Sequence, residues 1–222
     1  MKQKRYGVTT KTLVAMLALV LLIGCGIGGT LAYLTSKTGE VVNTFTVGNI
    51  NIDLWEHKYD PAKSELSNTE KVPTTDGVKG NTYKIVPGVD LPKDPTVEVV
   101  AGSEACWLFV KVTENNWPTD GNITYMVNDS NWTPLTIKNE DNADVPVNGV
   151  YYKQVDAASA SAGAKYEVLK DNKITVKDAL TKTQVEAIPE GGFSLSFKAA
   201  AVQQEGLTVE EAYDQIANDL NN

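Results

Sequence analysis

In "GFSLSFKAAAV", residues 192–202, the apolar side chains Phe193, Leu195 and Phe197 alternate with Ser194, Ser196 and Lys198. Successive side chains of a strand point to opposite faces, so this period of two predicts a strand with Phe193, Leu195 and Phe197 turned inward. Short runs of the same kind recur along the chain: "TYKIVPG", "DPTVEVV", "CWLFVKVTEN", "NITYMV", "TPLTI", "GVYYKQV", "YEVLK" and "KITV". Asn, Asp, Gly and Pro separate them, and Pro87 and Pro92 confine the strand ends around a Pro87-Gly88 turn. "CWLFVKV" is apolar on both faces, as a central strand covered on each side must be. Many short strands joined by such turns predict an all-β fold, an antiparallel β-sandwich.

Ahead of these runs, Phe45 and Val47 have one parity and Ile50, Ile52 and Leu54 the other. The change falls at Gly48-Asn49, which predicts a bulge or a bend between two short strands. The polar stretch 56–82 is rich in turn formers and reads as a long surface loop, and "DAASASAGAK" as a small, flexible one. One or two short peripheral helices are expected near the C-terminus. Thr181 and Gln184 form a capping box with Leu180 and Val185 as its staple, and Pro189 ends that helix. Thr208 and Glu211 repeat the device with Leu207 and Ala212, before a helix presenting Ala212, Ile216 and Leu220. The sequence has no internal repeat.

The N-terminus has the order of a secretory signal peptide: Lys2, Lys4, Arg5 and Lys11, an apolar run from Leu13 to Ile27, then small residues. Thr30 and Ala32 lie three and one residues before a cut after Ala32, and a cut after Tyr33 serves nearly as well. Two other readings compete. Leu13 to Leu34 is long enough to span a bilayer as a retained anchor, although the glycines and cysteine between Gly24 and Gly29 weaken it. Leu22-Ile23-Gly24-Cys25 resembles a lipoprotein signal, but apolar residues continue past Cys25 as far as Leu34. The expected division is therefore a signal over 1–33, an N-terminal arm over 34–48 and a sandwich over 49–222.

Removing the signal takes away four of 20 basic residues and none of 28 acidic ones, which leaves 16 − 28 = −12. The only arginine, Arg5, leaves with it. An acidic, arginine-free surface argues against nucleic acid and anionic lipid as partners, and leaves the membrane only the signal segment. Cys25 leaves too, so Cys106 has no disulfide partner within the chain; in its apolar run it reads as a buried, inert thiol.

The chemistry-bearing residues are few. His57, in "WEHKYD", is the single histidine. A zinc protease needs two histidines four apart on a helix, and no Gly-x-Ser-x-Gly elbow accompanies His57 for a serine triad. His57 beside Glu56 and Asp60 reads as a solvated loop histidine sooner than a metal ligand. Glu140, Asp141 and Asp144 offer oxygen ligands for calcium, without the spacing or the glycine of an EF-hand. Trp107, Trp117 and Trp132 are able to stack on sugars, but tryptophan in a sandwich more often fills the core or its edge. No cofactor motif is present, and no catalytic residue is assigned.

"GGTLAYLTSKTGEVVNTFTVGNINIDL", residues 28–54, resembles the export signal and first strand of the TasA/camelysin family, whose signals are cut by a signal peptidase of the SipW type. The likeness lies in Gly-Thr-x-Ala-aromatic at the cleavage zone, then Asn43, Thr44, Phe45, Gly48, Ile50 and Ile52. A second patch is similar as well: Pro87, Gly88, Lys93, Gly102, Ser103 and the strand from Cys106. The ending "FKAAAVQQEGLTVEEAYDQIAND" looks like that of many clostridial members, and together these stretches cover about half the chain. The resemblance implies a jelly-roll-like sandwich, exported by a Gram-positive bacterium to its extracellular matrix or cell surface. It implies fibres made with other copies of the chain, and contact with other matrix proteins. In that family the N-terminal strand of one subunit enters a groove of the next, so Leu34 to Val47 would be the donor arm and Asn43, Thr44, Phe45, Val47 and Gly48 its assembly strand. One branch of the family carries a metalloprotease label; this chain lacks a matching metal motif, so that activity is not carried over. Two readings of another class stay open. One is a monomeric adhesin using the loop tryptophans or residues 139–144; the other is a metal-dependent peptidase using His57.

Overall fold

The computed structural model describes residues 49–72, 80–186, 188 and 192–221. The signal peptide, the cleavage zone Thr30, Ala32 and Tyr33, the assembly strand Asn43 to Gly48 and the helix stop at Pro189 lie outside the described residues. The fold is mostly β. Twelve strands are described: β1 (Ile52–Trp55), β2 (His57–Asp60), β3 (Glu65–Lys71), β4 (Leu91–Pro92), β5 (Thr96–Val99), β6 (Cys106–Asn115), β7 (Ile123–Thr124), β8 (Thr133–Lys138), β9 (Asp144–Val155), β10 (Lys165–Glu167), β11 (Lys173–Val176) and β12 (Ser194–Gln203). They form antiparallel sheets in the orders β1-β5-β10, β4-β11-β7 and β12-β6-β9-β8, with β2-β3 as a separate hairpin.

The two-faced pattern of "CWLFVKV" has the meaning expected of it. β6 lies between β12 and β9, in register Cys106↔Gln203 and Cys106↔Val155. From one face Cys106, Leu108, Val110 and Val112 pack with Val97 and Val99 of β5 and with Val155, Val168 and Trp132. From the other, Phe109 packs with Leu135, Val150 and Val202 against Ala212, Tyr213 and Leu220 of a helix, α3 (Val209–Asn221). Alternation thus supplies a layer on each side of the central sheet, and burial of these layers is the main source of stability. A third cluster, built on Leu91, Ile123, Leu169, Ile174, Val176 and Leu180, backs the β4-β11-β7 sheet.

Both capping boxes form. In α2 (Lys182–Glu186) the Gln184 N–H donates to the Thr181 hydroxyl at 3.3 Å and the Thr181 N–H to Gln184 Oε1 at 2.9 Å. In α3 the Thr208 N–H donates to Glu211 Oε2 at 2.8 Å and the Glu211 N–H to the Thr208 hydroxyl at 3.3 Å.

Several expectations are corrected. Residues 56–82 are not all loop: β2 and β3 form a hairpin there, because Tyr59 and Leu66 pair across it and Tyr59 stacks on Tyr83 at 4.7 Å. "DAASASAGAK" contains a helix, α1 (Ala157–Ala162), so three helices rather than one or two are described. Asp156 caps it by accepting from the Ser159 N–H at 2.8 Å, and Gly163 ends it at φ 82°. "TYKIV" pairs with no strand among the described residues, and the neighbouring strand is only Leu91–Pro92; the Pro87-Gly88 turn itself forms, with Gly88 at φ 74° and the Val89 N–H donating to Val86 O at 3.1 Å. That positive φ favours glycine, and a Cβ there would also lie 1.9 Å from Asp178 Oδ1, so the exposed Asp178 carboxylate would have to swing aside. "NITYMV" pairs only over Ile123–Thr124, plus a single bridge from Val127 to Leu169.

Candidate functional site

A concavity of about 890 Å³ opens along the seam where β1 faces β12. Its apolar wall comes from Leu54, Ile85, Leu91, Trp117, Phe193, Leu195 and Phe197. A shallower depression continues it past Ile52, Ala199 and Leu220, and Leu54 and Phe197 line both. The sequence pattern turned Phe193, Leu195 and Phe197 inward; they do point inward, yet all three remain half-buried because the seam is open. Trp117 stands edge-on to Phe193 at 4.9 Å and to Tyr125 at 5.3 Å. Alongside runs the outer edge of β12, which pairs with β6 on one side and, among the described residues, with no strand on the other. An unpaired edge beside an apolar groove is a template for an added strand.

One end of the groove is polar, and three separate segments build it. The β1–β5 register runs Ile52↔Val99 to Trp55↔Thr96, so its continuation sets Glu56 and His57 opposite Pro95 and Asp94. The Asp94 carboxylate accepts from the His57 N–H at 2.9 Å and meets His57 Nδ1 at 2.6 Å. Lys93 places its ammonium 2.6 Å from Glu56 Oε2, with the two side chains 9% and 12% exposed. Asn81, arriving from beyond the β2–β3 hairpin, donates from Nδ2 to Glu56 Oε1 at 3.1 Å and to His57 O at 2.7 Å, while its Oδ1 accepts from the Tyr59 N–H at 2.8 Å. Phe197 and Tyr83 put their ring centroids 5.4 and 5.7 Å from Lys93 Nζ. Burial pushes the Tyr83 hydroxyl far above its usual value, with Glu56 reinforcing the shift and the Asn81 side chain partly opposing it.

The other singled-out residues fall elsewhere. His57 is not a solvated loop histidine: it opens β2, packs edge-on to Trp55 at 5.0 Å and is 24% exposed at its side chain. Its neighbour Asp60 points instead to the turn at Ala62 and Lys63. Glu140, Asp141 and Asp144 are exposed at the β8–β9 turn, which Asn139 closes by accepting from the Asp141 and Ala143 N–H groups. Asp144 pairs with Lys138 at 2.7 Å, and among the described residues no three His, Cys, Asp or Glu side chains converge in a way that would hold a metal. Trp132 is 2% exposed and donates to Glu167 O; Trp107 donates to Leu207 O beneath α3. Of the three tryptophans proposed for stacking, only Trp117 faces the groove. Cys106 is fully buried, which pushes its thiol up to about 11.

Sequence reasoning passed over the Glu56, Asn81, Lys93 and Asp94 cluster. The one local signal was a pair of adjacent polar residues, Glu56-His57 and Lys93-Asp94, at facing ends of two apolar strands. No family model, curated protein or solved structure matches the chain.

Proposed function

We propose that this chain is a secreted structural protein rather than an enzyme, a jelly-roll-like member of the TasA/camelysin family that builds fibres in the extracellular matrix of a Gram-positive bacterium. A SipW-type peptidase removes residues 1–33, and the freed arm, Leu34 to Val47, adds to a second copy. The observation that carries this reading is the edge of β12 beside the apolar groove, which pairs with no strand among the described residues. Ten strand residues, Ser194–Gln203, extend about 33 Å, and an arm of fourteen residues in strand conformation reaches about 46 Å. An added strand would satisfy the edge N–H and C=O groups of β12 and set Phe45 and Val47 among Leu195, Phe197 and Trp117.

The test is electron microscopy and size-exclusion of the processed chain beside a variant lacking residues 34–47 and a Phe45→Asp variant. Fibres from the processed chain alone, with both variants folded and monomeric, are the expected outcome. A free peptide of residues 34–48 should also cap growth. Processed protein that stays monomeric at high concentration, or a truncated chain that still polymerises, overturns the reading.

A further inference from the structure

We propose that Lys93 and Asn81 become joined by an intramolecular isopeptide bond, and that Glu56 is the catalytic residue that makes it. Both reacting side chains meet on one carboxylate. One oxygen of Glu56 touches the Lys93 ammonium at 2.6 Å, and the other touches the Asn81 side-chain amide nitrogen at 3.1 Å. The carboxylate therefore bridges the nucleophile and the leaving group, the place a group must occupy to move a proton between them. Asn81 cannot turn away: its Oδ1 accepts from the Tyr59 N–H and its Nδ2 also donates to His57 O. The Asn81 backbone N–H is held by Glu56 too, at 3.1 Å. Lys93 is 7% exposed, and the rings of Phe197 and Tyr83 flank its amine, so bulk water does not compete with the amide for it.

The step balances without any further reagent. Glu56 takes a proton from the Lys93 ammonium, and the neutral Nζ attacks Asn81 Cγ. Negative charge develops on Oδ1, where the Tyr59 N–H already donates at 2.8 Å. Glu56 passes that proton to Nδ2, then takes the second proton that Nζ sheds as the adduct collapses and passes it on in turn. The Cγ–Nδ2 bond breaks, and the nitrogen leaves as ammonium while the Nζ–Cγ amide forms and Glu56 is again a carboxylate. Nothing is oxidised or reduced. The product closes residues 81–93 into a covalent loop that carries Tyr83, Ile85 and Leu91 of the groove wall. Among the described residues Cys106 is the single cysteine, so an amide is the cross-link this domain has the chemistry to make. The inference is independent of the proposed function, since the bond forms within one chain whether or not that chain polymerises.

Mass spectrometry of the purified full chain tests it. The expected result is a mass about 17 Da below the sequence value, the loss of one ammonia. A tryptic digest should then contain a branched peptide joining residues 80–84 to residues 85–111, uncut at Lys93. Glu56→Gln and Lys93→Met should both return to the full sequence mass. Asn81→Asp should lose water, about 18 Da, in place of ammonia. Wild-type protein at its full sequence mass, with Lys93 cleaved by trypsin, shows an ion pair only and overturns the proposal. So does an ammonia loss that maps elsewhere, such as to the Asn148-Gly149 step. A Glu56→Gln chain that still carries the branched peptide removes Glu56 from the reaction.

Discussion

Phe109 and Phe197 are chemically alike and sit on paired neighbouring strands, yet truncating them should have opposite consequences. Phe109 is completely buried beneath α3, 5.9 Å from the Tyr213 ring, so Phe109→Ala removes its transfer free energy and leaves a closed cavity. That combination costs about 3–5 kcal/mol. For a domain of this size it lowers Tm by roughly 6–20 °C. Phe197 is half-buried on the open wall of the groove. Its full burial would be worth about 1.5–3 kcal/mol, and only about half of that exists in the single subunit. No closed cavity forms on truncation, so Phe197→Ala should cost about 1 kcal/mol. The other half should appear in assembly: losing about 1.4 kcal/mol of contact with an incoming arm raises the concentration needed for fibres about tenfold. Urea denaturation of chains lacking residues 34–47 measures the first quantity, read as a change in midpoint at constant slope. Sedimentation of fibres across a concentration series measures the second. If Phe197→Ala destabilises the subunit as much as Phe109→Ala, the groove is a closed core and the argument fails. If it alters neither stability nor the assembly threshold, the groove does not receive the arm.

Acid should loosen the helix caps before the strands. The Ser159 N–H holds Asp156 below its ordinary 3.8, and the Thr208 N–H holds Glu211 below its ordinary 4.5. Depressed folded values mean that their contribution is whole above those pH values and disappears as pH falls through the lower folded ones; a stability curve from pH 6 to 2 that stays flat refutes this. Thr208→Ala should lower stability by about 1 kcal/mol in urea titration, by removing an N-cap. Cys106, buried and with its thiol pushed up to about 11, should resist iodoacetamide at pH 8 in the native chain and react once urea is added, as peptide mass mapping will show. Replacing Ala32 and Tyr33 with bulky charged residues should leave the chain unprocessed; secreted wild-type protein that still begins at residue 1 refutes the cleavage step.

The sequence by itself determined those elements whose signal is local. Strong two-faced alternation placed β6 over Cys106–Asn115, and the run "KITV" placed β11 over Lys173–Val176. The two capping boxes marked the starts of α2 and α3, since a cap is a contact between residues three apart. Composition misled where tertiary contacts carry the decision. The polar 56–82 stretch acquires a hairpin because Tyr59 finds Tyr83 and Asn81, and "TYKIV" has a strand's pattern but, among the described residues, no neighbour to pair with. "DAASASAGAK" held a readable cap in Asp156 and Gly163, masked by its small residues; burial of Ala160 fixes that helix. The groove and its polar end belong to tertiary structure alone. Alternation predicts that Leu195 and Phe197 face inward, but only the path of β1 beside β12 leaves them half-covered. Glu56, Asn81 and Lys93 lie 25 and 37 residues apart from the shared carboxylate outward, and each looks like an ordinary surface residue in its own stretch. Only the β1–β5 register and the return of the chain after β3 bring them within hydrogen-bonding distance. Side-chain periodicity is a property of the backbone over a few residues; juxtaposition of distant polar groups depends on how sheets stack, which no short window of sequence contains.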